Sequence, residues 1–316
     1  MATTNNELHV VFGTGPVGLA VMAALVAKGK RVRLVNRSGQ APTPAEVERV
    51  AADATDPEKT RQICQGAAVV YNCTNPPYHQ WPELFPPLQA GVLAGAASAG
   101  AKLVVMENVY MYGPTGGKPL TEDLPYASTT RKGRTRAKMS EELLAAHQKG
   151  QVRVAIGRAS DFFGSGVRRS AMGEQVFYPA LVGKLVRVLG NPDLPHTYSY
   201  IPDVGRGLVM LGERDEALGQ AWHLPSAPTV STRRFLELVF AEAGQPLRLQ
   251  STPKWLIQGL GLFNPNIREL VEMFYEFEEP FILDHSKFER TFGNQATPLA
   301  EAIRTTVSWF RQNPKN

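Results

Sequence analysis

The chain has 316 residues, 43% hydrophobic and 20% charged, which is enough to bury a full core and excludes a disordered segment or a small disulfide scaffold. The formal net charge is +5, but the basic residues are scattered rather than gathered into a tract, so no nucleic-acid partner is expected. Cys64 and Cys73 form no CxxC or Cys/His metal spacing and no two histidines have ligand spacing, so we expect free thiols, a cytoplasmic setting and no metal.

The first seven residues lack a basic leader and run straight into an apolar strand, so no signal peptide is expected. Strand-length apolar runs over 8–12, 31–36, 68–73, 102–107 and 153–158 alternate with helical stretches over 18–28, 83–100 and 135–149 and a short turn over 57–65. This alternation predicts an α/β fold, a doubly wound parallel sheet covered on both faces. The glycine- and alanine-rich stretch over 91–106 is broken by Lys102 and is too short to span a bilayer, so no membrane partner is expected. After Asp161 the pattern changes, because Gly164, Gly166, Gly173, Pro179, Gly183, Gly190, Pro192 and Pro195 cut the chain into short segments. These segments predict a smaller lobe laid over the sheet. A strand over 221–224, a helix over 232–243, an acid-rich lobe helix over 264–277 and a closing helix over 298–311 follow. The expected division is a dinucleotide-binding unit over 1–163, joined by returning segments 196–224 and 281–316, and a substrate-binding lobe over 164–195 and 225–280.

The first strand is followed at once by Gly13-Thr14-Gly15-Pro16-Val17-Gly18 and then by an apolar helical run. In such a turn the first glycine makes the bend, the second admits a pyrophosphate to the backbone, and the third lets helix and strand pack closely. The spacing alone is weak, but its place between a strand and a helix makes it a dinucleotide fingerprint. The second strand should end in a carboxylate if the ribose 2′-hydroxyl of NAD is to be held. It ends instead in Asn36-Arg37-Ser38. A guanidinium there grips a 2′-phosphate with paired donors, so NADP(H) is preferred over NAD(H); the alternative is that Arg37 is a solvated surface arginine. Asp53-Ala54, after a charged helix and a short strand, are expected beside the adenine.

Four segments then make the chain resemble the extended and atypical short-chain dehydrogenase/reductase superfamily, often labelled NAD-dependent epimerase/dehydratase. They are the glycine turn, Asp53-Ala54-Thr55-Asp56, Val109-Tyr110-Met111-Tyr112-Gly113-Pro114 with Leu120-Thr121-Glu122-Asp123-Leu124-Pro125, and Ile201-Pro202-Asp203-Val204. The resemblance implies a Rossmann core with a C-terminal substrate lobe, the nicotinamide lying between them, and a homodimer joined through the helices over 83–100 and 135–149. It also implies a serine a few residues before Tyr112-Gly113, where Asn108 stands, and a Tyr-x-x-x-Lys about twenty residues after, a window in which Arg134 and Lys138 stand. The expected catalytic set is therefore Lys138, Arg134, Asn108 and Tyr110, with Lys138 also reaching the nicotinamide ribose. Arginine is always charged, so Arg134 can stabilise an oxyanion but cannot donate a proton; Lys138, Tyr110 or a water is left for that. Asn108 can donate a hydrogen bond to a carbonyl oxygen.

Cys73, Thr74 and Asn75, at the ligand end of the sheet, are expected to contact the cofactor ribose, with Tyr78 and Trp81 walling the substrate pocket. By resemblance, Ala159 and Ser160 meet the nicotinamide, while Asp161, Phe162 and Tyr178 face the substrate. The alternative for the aromatics is simple packing, and a charge run such as 131–138 is often only a solvated face. The expected function is an NADP(H)-dependent oxidoreductase acting on a small carbonyl or enone-type molecule. The alternatives are a sugar-nucleotide epimerase or dehydratase, with Arg168 and Arg169 on a diphosphate, and a non-catalytic NADP(H) sensor.

Overall fold

In a computed structural model, which describes residues 7–261 and 265–315, the chain opens with the strand β1 (Leu8–Phe12) and the helix α1 (Pro16–Ala27). Next come β2 (Arg31–Asn36), β3 (Glu48–Ala51), α2 (Pro57–Cys64), β4 (Ala67–Asn72), α3 (Trp81–Ser98), β5 (Lys102–Glu107), α4 (Arg131–Gln148) and β6 (Arg153–Arg158). The short β7 (Asp161–Phe163) leads to α5 (Glu174–Leu181), β8 (Val186–Leu189), β9 (Pro195–His196), β10 (Tyr198–Tyr200) and α6 (Ile201–Glu213). The last part holds β11 (Ala221–His223), β12 (Val230–Ser231), α7 (Thr232–Ala243), β13 (Leu249–Thr252), α8 (Lys254–Gly261), α9 (Pro265–Val271), a 3-10 turn (Phe274–Phe277), α10 (Ser286–Phe292) and α11 (Leu299–Gln312).

Seven strands form one sheet in the order β11-β6-β5-β4-β1-β2-β3, and every neighbouring pair in it is parallel. This is the doubly wound Rossmann arrangement, whose strand order reverses beside β1 and opens a crevice at the carboxyl ends of β1 and β4. Val10 and Val11, adjacent in β1, are both fully buried and belong to different core clusters, one on each face of the sheet. On one face α1 and α6 cover Val11, Tyr71 and Val104; on the other, α2, α3 and α4 cover Val10, Val70 and Ile156.

The strands expected over 8–12, 31–36, 102–107 and 153–158 stand at those bounds. The turn over 57–65 is a helix, capped by the Asp56 carboxylate, which accepts from the backbone of Glu58 and Lys59. The charged stretch ahead of β3, read as a helix, is a loop that holds Pro42 and Pro44. Helix α6, which the expected elements do not include, carries Gly205, Gly207 and Gly212. They serve close packing: a Cβ on Gly205 would lie 2.6 Å from backbone atoms of Ala20 in α1.

A third core cluster joins α5, α7 and α11 through Phe177, Phe235, Ile303, Val307 and Phe310. Helix α11 lies in a segment expected to return to the dinucleotide-binding unit, and it packs on this lobe cluster. The acid-rich lobe helix is two elements, α9 and the Phe274–Phe277 turn, and its expected start at Asn264 lies outside the described residues. Among the described residues no helix is long and apolar enough to cross a membrane.

Candidate active site

In the glycine turn, the space around Gly13 and Gly18 excludes any larger residue. Gly13 has φ +103°, and a Cβ there would lie 2.5 Å from the Cys73 carbonyl oxygen; one on Gly18 would lie 1.9 Å from the Gly13 carbonyl oxygen. Gly15, the N-cap of α1, has nothing within 4 Å of its Cβ position, so the first backbone N–H groups of α1 face open space beside Thr14, Pro16 and Val17. That is the geometry of an anion site at a helix N-terminus.

Asn36 pins this turn to the end of β2. Its amide donates to Thr14 Oγ1 at 2.8 Å, and its carbonyl accepts from the backbone of Ser38 at 3.1 Å and Gly39 at 2.6 Å. Arg37 and Ser38 are exposed beyond it, with no carboxylate in the turn they share. The backbone and hydroxyl of Thr55, both at 2.9 Å, hold the Asp53 carboxyl below its ordinary range, with the Arg37 charge contributing less. Ala54 is buried against α3, where a Cβ on Gly91 would lie 2.0 Å from its carbonyl oxygen. Buried Asn72, which the sequence reading missed, accepts from the Thr74 backbone and hydroxyl and so fixes the Cys73-Thr74-Asn75 loop. Burial pushes the Cys73 thiol up to about 12, so it is inert and contributes through its backbone. The open N-terminus of α1 and the acid-free end of β2 fit a nicotinamide dinucleotide.

On α4 the structure corrects the expected residues. Arg134 is exposed, with its guanidinium turned back to the Thr129 carbonyl, and the Lys138 side chain is 77% exposed, 3.9 Å from Glu142. Both side chains thus lie on the exposed face of α4 rather than on its buried one. The inward positions are two residues earlier: Lys132 and Arg136 are buried, one helical turn apart. The helix starts at Arg131 rather than Thr135, capped by Thr130 Oγ1, which accepts from the Gly133 backbone at 3.0 Å. A Cβ on Gly133 would lie 2.6 Å from the Tyr110 carbonyl oxygen, so this glycine seats the helix against the loop after β5 and sets its rotation. The signal was present in the apolar spacing, because counting back from Ala146 through Leu143 and Met139 at intervals of three and four leads to Arg136 and Lys132.

The Lys132 ammonium pairs with Glu269 and, at 2.8 Å, with Glu272, and it lies 4.4 Å from the centre of the Tyr78 ring. Arg136 donates to the Met106 carbonyl at 3.3 Å, lies 3.8 Å from Glu107 and stacks over Phe85. Behind it lies a second buried guanidinium. Arg158 donates to Glu107 at 3.0 Å, to the Tyr112 hydroxyl and Ser140 Oγ at 2.6 Å each, and to the Tyr126 hydroxyl. One carboxylate thus stands between two buried cations, an arrangement that no local sequence pattern announces.

At the mouth of the crevice, Asn108 Oδ1 accepts weakly from the Tyr110 backbone at 3.4 Å, and the Tyr78 hydroxyl donates to that of Tyr110 at 3.4 Å. Burial raises both phenols above their ordinary range, so both stay protonated. Trp81, expected to wall the pocket, is buried behind this pair, with its indole donating to the Pro76 carbonyl at 3.2 Å and its ring 5.0 Å from that of Tyr78. Ala159 and Ser160 are buried where β6 ends, the Ala159 N–H bonded to the Glu107 carbonyl and the Ser160 N–H to Ser199 Oγ, each at 3.1 Å. Asp161 is bonded to His196 at 3.1 Å, and Phe162 packs partly into the sheet core. Tyr178 is not brought to these residues; it joins Arg168 at 2.7 Å, the Asn313 carbonyl and the ring of Phe310. Glu276, from the Phe274–Phe277 turn, is a buried carboxyl that the sequence reading missed, and it lies near enough to Tyr78 and Tyr110 to act on both electrostatically.

Residues 10–224 match the sequence pattern of the NAD dependent epimerase/dehydratase family. No curated protein sequence matches significantly. Among solved structures, an epimerase from Methanothermobacter thermautotrophicus superposes with a TM-score of 0.81 at 17% identity, over 98% of this chain and 94% of that one. A dTDP-glucose 4,6-dehydratase from Bacillus anthracis str. Ames, solved with NAD, gives 0.80 at 13% identity over 97% of each chain. A UDP-glucose 4-epimerase from Thermotoga maritima, solved with UDP-glucose, gives 0.79 at 16% identity over 97% of this chain and 99% of that one. At these identities the likeness is one of fold.

Proposed function

Because this chain belongs to the NAD dependent epimerase/dehydratase family, we propose that it is an oxidoreductase that moves hydride between a nicotinamide dinucleotide and a small carbonyl or enone-type substrate. The observation that carries this reading is the buried face of α4: Lys132 and Arg136 stand four residues apart, the spacing expected of the tyrosine and lysine, two positions before the expected ones and beside Gly133, which meets the Tyr110 carbonyl. The dinucleotide supplies the hydride. Gly13 to Gly18 hold its pyrophosphate, and Arg37 with Ser38 holds the 2′-phosphate of NADP(H), for which the paired donors of a guanidinium are suited. Arg136, a permanent cation, takes the role expected of Lys138, holding the nicotinamide ribose and steadying charge on the substrate oxygen. Asn108 adds a neutral donor.

Several solved neighbours act on sugar nucleotides, and a diphosphate needs cations free to meet it. Arg168 is committed to the Tyr178 hydroxyl and lies over the Trp309 ring, which leaves exposed Arg169 alone of the expected pair to meet a diphosphate, so a substrate without a diphosphate fits better. A non-catalytic NADP(H) sensor is the second reading, favoured by the double pairing of Lys132 with carboxylates. Pairing of two chains through α3 and α4 belongs to the same proposal.

The test is a titration with NADPH and NADH, followed by NADPH depletion against a panel of aldehydes, ketones and enones. We expect turnover by the wild type, a loss of roughly 100-fold in Arg136→Ala, and rates within about twofold of wild type in Arg134→Ala and Lys138→Ala. Tight NADPH binding with no turnover of any compound would select the sensor.

A further inference from the structure

The lobe sends one carboxyl group toward the crevice without a counter-charge. Phe274 and Phe277 of the 3-10 turn face an open groove also lined by Asn191, Arg233 and Lys254, while Glu276 between them turns inward and is 3% exposed. Its Oε1 is completely buried and has no hydrogen-bond partner. The neighbouring carboxylates Glu269 and Glu272 take up Lys132, and His196 is bonded to Asp161, so neither is left to pair with Glu276.

The groups near enough to Glu276 to interact with it electrostatically come from four parts of the chain: Tyr78 after β4, Tyr110 after β5, Asp161 on β7, and Tyr275 of its own turn. Glu272 and Glu279 stand near the same tyrosines. None of these can neutralise a carboxylate. Burial, reinforced by the Asp161 charge, therefore holds Glu276 well above the ordinary carboxyl range and keeps its proton on at neutral pH.

Resting on the oxidoreductase reading above, we propose that Glu276 is the proton donor of the reduction. Its carboxyl O–H passes the proton to the substrate oxygen while the carbon of the same carbonyl takes up hydride from the reduced dinucleotide. The C=O π pair becomes the new O–H bond, and Glu276 is left as a carboxylate until water reprotonates it. This accounts for a site whose α4 positions hold Lys132 and Arg136: the permanent cation Arg136 stabilises the developing oxyanion, and the lobe supplies the proton. The carboxyl arrives with the lobe rather than with the sheet, so the donor is in place only when lobe and crevice are together.

The test compares wild type, Glu276→Gln and Glu276→Asp on the best panel ketone across pH, together with infrared spectra of the carboxyl region. In wild type the rate should be flat at neutral pH and fall on the alkaline side as the carboxyl ionises. Glu276→Gln should lose about 100-fold in kcat, change KM by less than about threefold and lose the alkaline limb, with partial recovery in Glu276→Asp. The infrared band of a protonated carboxylic acid should be present in wild type at neutral pH and missing from Glu276→Gln, a readout that needs no turnover. Unchanged kcat and pH profile in Glu276→Gln, or no such band in wild type, overturns the assignment while the hydride reading stands. A wild type that binds NADPH and reduces nothing overturns both.

Discussion

Arg158 holds its neighbours in one proton arrangement. Its guanidinium donates to the Tyr112 hydroxyl, which lies 2.8 Å from His223 Nε2. The Asp284 carbonyl, 2.9 Å from His223 Nδ1, can only accept, so the hydrogen of a neutral ring sits on Nδ1 and Nε2 accepts from Tyr112. Burial, with the Arg158 charge, holds His223 down to about 3 from an ordinary 6.5. Between those values the unfolded chain binds a proton that the folded chain refuses, so stability falls as pH drops below about 6.5 and keeps falling to about 3. Burial holds His9 down to about 4, and it acts with the same sign. We expect the melting temperature of wild type to fall more steeply from pH 7 to pH 5 than that of His223→Gln; parallel curves would contradict the neutral-ring assignment.

At the scale of the element, α4 turns a basic run into a two-faced helix. Arg131, Arg134 and Lys138 stay at the surface, while Lys132 and Arg136 line up with Met139 and Leu143 on the buried stripe. Gly133 makes this possible, since a Cβ would lie 1.9 Å from Ser128 Oγ as well as against Tyr110. The serine hydroxyl can rotate away, but Ser128 Cβ, at 2.4 Å, and the Tyr110 carbonyl cannot. Gly133→Ala should therefore cost roughly 1–3 kcal/mol in a urea titration, as overpacking does, and should lower turnover further by moving Lys132 and Arg136 off the crevice. A variant with wild-type stability and activity would show that the helix start has slack.

For the molecule as a whole, the strand order decides where a ligand goes, and the lobe decides what closes over it. The reversal beside β1 opens the crevice, and Arg131 and Lys132 on α4 reach Glu269 and Glu272 in the lobe. A dinucleotide that binds only the folded chain stabilises it by about 2.7 kcal/mol at a hundred times its dissociation constant. Saturating NADPH should thus raise the melting temperature by several degrees, and by more than NADH does at equal concentration. Arg37→Ala should remove that difference and leave the NADH shift unchanged. An equal shift from both cofactors in wild type would remove the basis for the NADP(H) preference.

Local order was legible in the sequence wherever one segment carries the whole physical reason. The alternation of apolar strands with helices determined the parallel sheet, and Gly13 to Gly18 between a strand and a helix determined the dinucleotide crevice. Asn36-Arg37-Ser38 determined that no acid stands at the end of β2. Contacts between distant segments were not legible. Gly205 in α6 is a contact point with α1, and the rotation of α4 depends on Gly133 meeting a loop more than twenty residues earlier. The pairing of Glu107 with Arg158 and the arrival of Glu276 beside Tyr78 and Tyr110 join side chains 51 to 198 positions apart. Periodicity reports which face of an element is buried. What waits on that face, and which charge it brings, is set by the packing of elements that share no sequence neighbourhood, and only the tertiary structure decides it.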